Sequence, residues 1–146
     1  MYMRIVAGIA ALVVVLSIWN VAPSIAQSSD SDFVVVANKQ MAGTSINKNA
    51  LKGIYLREIK NWSNGNEIIV VNLEDGGDFY QNLFGKSTVQ MQAYWLNMRI
   101  KYSVDLPVTK KDSAGVKQFV ASTKGAIGFI KKSELDDSVK ELKIVN

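Results

Sequence analysis

The sequence predicts a three-layer α/β domain with a mostly parallel or mixed sheet. Three observations carry this. Residues 33–37, 68–71 and 126–130 are short, unbroken β-branched runs, which is how strands covered on both faces read. Segments with helical spacing lie between them. The order strand, helix, strand, helices, strand is that of a sheet held between helices.

Taken in order, residues 33–37 form the first strand. Asn47 then caps a helix carrying Ala50, Leu51, Ile54 and Tyr55 at helical spacing, and Asn64-Gly65 makes a tight turn into the strand at 68–71. That strand should lie beside or near the first, because a right-handed strand-helix-strand crossover normally returns to the same sheet. After Asp75-Gly76-Gly77 a short helix over 78–84 should stop at Gly85 in a left-handed conformation. Ser87 caps a long helix over about 88–100, with Val89, Ala93, Leu96 and Ile100 on one stripe and Tyr94, Trp95 and Met98 widening it. So wide an apolar surface implies burial on more than one side. Past Pro107, Asp112 or Ser113 caps a helix presenting Val116, Phe119 and Val120, which ends before Gly125. Residues 126–130 form the third strand, and 141–145 a weaker fourth at an edge.

The chain of 146 residues carries 17 Lys+Arg against 13 Asp+Glu and has neither cysteine nor histidine. Without them the common zinc sites, thiol nucleophiles, imidazole bases and disulfides are excluded, and the expected reading is a non-enzyme with no cofactor and no metal. The net charge of +4 is too small to imply nucleic acid. Arg4, an apolar run from residue 5 to 19, Pro23 and Ser24-Ile25-Ala26 follow one another as in a signal peptide. The expected organisation is a signal peptide over 1–26 cleaved after Ala26, a flexible leader over 27–31 and one domain over 32–146. The location is then periplasmic or secreted, with no membrane span after processing. The alternative is an uncleaved N-terminal anchor.

In such folds ligands sit at loops beyond the carboxyl ends of strands, where helix starts point free amides outward. Two loops qualify. Residues 38–45 offer Lys39, Gly43, Thr44 and Ser45 ahead of a helix, and residues 72–78 offer Gly76 and Gly77 among Glu74, Asp75 and Asp78. The three acids lack the remaining ligands of a calcium loop, and helix capping explains Asp78 without metal. Lys110-Lys111 and Lys131-Lys132 read as solvated lysines at element ends, and Trp62 and Trp95 as packing anchors.

Gly53-Ile54-Tyr55-Leu56-Arg57-Glu58-Ile59-Lys60-Asn61-Trp62 resembles the "IYLGKIxxW" or "IFxGxxxxW" segment of the periplasmic phosphate-binding proteins of ABC transporters. The strand before it, Tyr94-Trp95 and Gly125-Ala126-Ile127-Gly128-Phe129 are similar to three further segments of that family, including its "YW" and "GAIGY". The resemblance runs from Phe33 to about Ile130 and implies one lobe of a type II periplasmic-binding-protein-like fold, in a chain less than half the size of the two-lobed receptors. It implies an exported solute-binding-like module whose ligand would be a small oxyanion, held by Thr44, Ser45, Gly76 and Gly77. The family's "RxDGSGT" turn reads Asn72-Leu73-Glu74-Asp75-Gly76-Gly77-Asp78 here, without its Arg, Ser and Thr, so binding should be weak. The alternative is an interaction or accessory module with an envelope protein partner, which kept the fold and lost the ligand.

Overall fold

The computed structural model describes residues 32–146. The expected signal peptide over 1–26 and the leader over 27–31 lie outside the described residues. In chain order the elements are β1 Phe33–Ala37, β2 Ser45–Asn47, α1 Lys48–Tyr55, β3 Ile69–Leu73, α2 Gly77–Phe84, α3 Thr88–Tyr102, β4 Val108–Lys110, α4 Ser113–Ser122, β5 Ala126–Lys131 and β6 Lys140–Val145. They make a mixed six-stranded sheet in the order β2-β6-β1-β5-β3-β4.

Side-chain alternation along β5 divides the helices between two faces. Phe129 stacks on Phe79 at 3.9 Å between ring centroids and meets Tyr55 and Tyr80 edge-on or tilted, so α1 and α2 cover that face. Gly128 points the other way, where an added Cβ would stand 3.0 Å from Val116 of α4. The result is the three-layer arrangement expected, with Val35, Val70, Ile127 and Phe129 buried in the sheet.

Local signals acted where the sequence placed them. Asn47 Oδ1 accepts from the Asn49 and Ala50 amides at 2.8 and 3.4 Å. Ser87 and Gln90 form a reciprocal capping box on α3, and Asp112 accepts from the Gly115 amide at 2.7 Å. Gly85 closes α2 at φ 64°.

Four expectations change. First, β1 pairs antiparallel with β5 while β3 pairs parallel with it, so β1 and β3 share the sheet but run in opposite directions, with β5 between them. Their link is therefore not a parallel crossover. Second, 141–145 belongs to β6, which pairs with both β1 and β2 and is not an edge. Third, the edges are β2 and β4, three residues each, for which the sequence shows no strand pattern. Fourth, α3 buries only Met91 and Trp95, and its stripe of Val89, Leu96 and Ile100 is 73%, 53% and 74% exposed. The turn between the stripe and the core is the physical reason: Tyr94 and Trp95 point inward, and the 4-3-4 spacing of the stripe lies on the outer side of the same helix. Among the described residues no helix is long and apolar enough to cross a membrane.

Candidate functional site

Parallel pairing of β3 with β5 brings their carboxyl ends together, and the start of α2 faces the end of β5. Between them is an open concavity of about 800 Å³ lined by Asp32, Phe33, Asp75, Gly77, Asp78, Lys131, Lys132 and Ser133. Helix α2 begins at Gly77 after Gly76, and no side chain caps it. Asp78 therefore does not have the capping role expected of it. The first-turn amides carry the positive end of the helix dipole, and an anion is favoured there. The walls are mixed: three carboxylates face two lysines.

The tightness of this turn has a packing cause. A Cβ on Gly76 would come 2.4 Å from the Phe129 ring, whereas one on Gly77 would meet only Thr88 Oγ1 at 3.5 Å. Gly76 is thus required by the ring beneath it, and Gly77 lines the concavity. Ser113 Oγ accepts from the Lys131 amide at 3.1 Å and so holds the far wall.

Thr44 and Ser45 are elsewhere. Because β1 is antiparallel to β5, its carboxyl end lies at the start of β5, with Asn38 donating its backbone N–H to Ala126 O at 3.2 Å. The loop from 38 to 45 therefore opens at the opposite end of the sheet from Gly76 and Gly77. Thr44 and Ser45 are exposed there, and Thr44 O accepts from the Lys143 amide at 2.9 Å beside β6. The structure does not bring the two pairs of expected ligand residues together. Asn38 has a framework role, donating from Nδ2 to Val120 O and Ala121 O at the end of α4 at 2.9 and 3.1 Å.

Lys131 and Lys132, expected as solvated lysines at an element end, line this concavity. Their position immediately beyond a buried strand was the available signal, but only the parallel register with β3 places them opposite Asp75 and Asp78.

The segments that carried the family resemblance interlock. Trp95 Nε1 donates to Tyr55 O at 2.7 Å, Tyr94 OH to Leu56 O at 2.9 Å and Trp62 Nε1 to Gly125 O at 3.0 Å. The "YW" pair thus satisfies carbonyls at the end of α1, and Trp62 ties its loop to the start of β5. Trp62, Tyr94 and Trp95 thus build the frame, and none of the three lines the concavity.

No family model and no curated protein matches the chain. Solved structures do. An ABC-type phosphate transport receptor from Vibrio cholerae aligns with TM-score 0.54 and 21% identity over 77% of this chain and 46% of its own. PstS from Borrelia burgdorferi aligns with TM-score 0.57 and 18% identity over 77% and 47%. A third, described as a phosphate ABC transporter substrate-binding protein from Clostridium perfringens with bound phosphate, aligns with TM-score 0.56 and 24% identity over 77% and 44%. The fold is shared with phosphate-transport receptors. This chain spans less than half the length of each of these structures.

Proposed function

We propose that the protein is an exported, non-catalytic solute-binding-like module of the phosphate-receptor type, with a weakened anion site at the start of α2. The observation that supports this most is the uncapped α2 start opening into a concavity where Lys131 and Lys132 face Asp32, Asp75 and Asp78. The helix start and the lysines attract an oxyanion, and the carboxylates oppose it. Of the four expected ligand residues, Gly77 and the turn at Gly76 belong to this site, and Thr44 and Ser45 take no part. Relative to the "RxDGSGT" turn, roughly two charge-assisted contacts are missing, each worth about 1.5–3 kcal/mol, which weakens affinity by about two to four powers of ten. Export by a signal peptide cleaved after Ala26 belongs to the same reading.

Calorimetric titration with phosphate and sulfate tests it: millimolar or weaker phosphate binding is expected, and Thr44→Ala leaves it unchanged. Micromolar phosphate binding would overturn the weakened-site reading in favour of a working receptor. A second reading, an interaction module with an envelope protein partner, is favoured by the outward stripe of Val89, Leu96 and Ile100 on α3. Complete silence toward both anions would move the balance to it.

A further inference from the structure

Residues 87–98 hold no charged side chain, in a chain of which 21% is charged. They make up most of α3, and its outward stripe of Val89, Ala93, Leu96 and Ile100 is exposed throughout, Val89 and Ile100 at 73% and 74%. The core-facing side of the helix is the opposite one, where Met91 and Trp95 are buried. No residue of the stripe lines the α2 concavity. An uncharged apolar seam that a folded chain leaves in water has the character of an interface core, where charge is depleted.

Two features of the stripe select a second copy of this chain as its cover. The first is its spacing. Steps of 4, 3 and 4 residues read the same from either end, so two α3 helices laid antiparallel about a two-fold axis set Val89 against the partner's Ile100 and Ala93 against the partner's Leu96. Small then meets large. A parallel pair would set alanine against alanine and leave a gap. The second feature is the flanks: Gln90 and Asn97 lie on one side of the stripe, Gln92 and Arg99 on the other, and all four are exposed. In the antiparallel pair Gln90 meets the partner's Asn97, and Arg99 meets the partner's Gln92. An amide both donates and accepts, so it complements its own copy, and the one charged flank residue meets an uncharged acceptor. A row of like charges would have repelled the copy. The exposed parts of Val89, Leu96 and Ile100, with Leu106, which lines a small cleft together with Leu96, come to on the order of 400 Å² of apolar surface per copy. With the amide flanks, pairing removes roughly 1,000–1,200 Å² in all, near the lower limit of a specific interface. The dimer is therefore weak, and the free chain keeps its stripe exposed.

We propose that α3 is a self-association surface, on which two copies of this chain pair antiparallel across the stripe in a reversible dimer with a dissociation constant on the order of 10–100 µM. Sedimentation equilibrium of the full chain from about 1 to 500 µM should show monomer passing to dimer and nothing larger, because a two-fold contact closes on itself. Ala93→Glu sets a carboxylate against the partner's Leu96 and should weaken the dimer by about tenfold or more. Ala93 is exposed, so the circular dichroism of the dilute variant should stay native. Orientation is tested with cysteines, since the chain has none of its own. Val89→Cys with Ile100→Cys in one chain should oxidise to a covalent dimer. Either substitution alone should link about tenfold more slowly, because antiparallel pairing holds the two copies of one position roughly 16 Å apart along the axis, beyond the reach of a disulfide. The proposal fails if the chain stays monomeric over the whole range, which would leave the stripe to an envelope protein or to another part of the chain itself. It fails too if Ala93→Glu associates as tightly as the native chain, which would place the contact on another surface. Single cysteine variants that link as fast as the double variant would overturn the antiparallel pairing.

Discussion

Burial raises the phenol of Tyr55 well above its ordinary range, with the neighbouring Tyr80 adding to the effect, and burial alone does the same to Tyr80. Below pH about 10 both tyrosines are protonated whether the chain is folded or not, and their contribution to stability is fully present. Above it the unfolded chain releases two protons that the folded chain keeps, so stability falls by about 1.4 kcal/mol per pH unit for each tyrosine. Urea denaturation between pH 9.5 and 11.5 should show this loss, and Tyr80→Phe should reduce the slope. An equal slope in both proteins would mean that Tyr80 ionises freely. Gly125 gives a second prediction at this scale. It holds φ 82°, and a Cβ there would come 2.3 Å from Glu67 O, whereas Gly43 holds φ 86° with nothing within 4 Å of an added Cβ. Gly43→Ala should therefore cost about 1 kcal/mol from left-handed strain alone, and Gly125→Ala about 2–4 kcal/mol. Equal costs in chemical denaturation would refute the contact argument. At the residue scale much was legible. The caps at Asn47, Ser87 and Asp112 act through their own side chains on amides two or three residues away, so the information is local. The anchoring roles of Trp62 and Trp95 were legible as well, but their hydrogen-bond acceptors lie 63 and 40 residues away and were not.

Helix α3 shows where a pattern at the scale of one element misleads. Its stripe has the spacing of a buried seam, yet the helix rests on the Met91 and Trp95 side, and Trp95 is held there by its bond to Tyr55 O. Periodicity reports that a face is apolar and cannot report whether a partner covers it. Accordingly Ile100→Lys should change stability by no more than about 0.5 kcal/mol. Trp95→Phe, which leaves the buried Tyr55 carbonyl without its donor, should cost about 1–3 kcal/mol. A large loss from Ile100→Lys would show that the stripe is covered in solution. The strands divide in the same way. Val35 and Val70, at 1% and 2% exposure, are core, and replacing either by Asp should cost several kcal/mol in thermal or urea unfolding, on the order of an unpaired buried charge. Strands β2 and β4 could not be read because three residues are too few to show a period. Ser45–Asn47 has one buried residue, Ile46, and is a strand because β6 lies beside it.

The direction of β1 decides the geometry of the whole molecule, and no feature of its own residues encodes it. Its β-branched run suits either orientation, and the antiparallel register with β5 sends the loops after β1 and β3 to opposite ends of the sheet. The Gly76-Gly77 turn was legible from its glycines and Thr44 and Ser45 from their place ahead of a helix, but no local pattern says whether two such loops open at the same end of a sheet. The site that results depends on a charge balance spread over β1, α2 and the end of β5, and this balance can be shifted. Asp75 and Asp78 stand nearest the α2 start in sequence, and both line the concavity. A carboxylate about 6 Å from a bound anion costs roughly 0.7 kcal/mol at the dielectric of water and about 2.8 kcal/mol at an effective value near 20. Salt reduces both figures, since the concavity is open and the screening length is about 8 Å at physiological ionic strength. Asp75→Asn with Asp78→Thr should therefore tighten phosphate by about one to two powers of ten, with the gain shrinking as salt is raised. Asp78→Thr alone supplies a hydroxyl at the helix start and should give part of the gain. Lys131→Gln in the double variant should reverse some of it, because it removes a positive charge from the opposite wall. Calorimetry of these variants at two salt concentrations distinguishes a weakened anion site from a surface that never held one. Phosphate affinity that stays unchanged in the double variant would place the anion, if any binds, away from the start of α2.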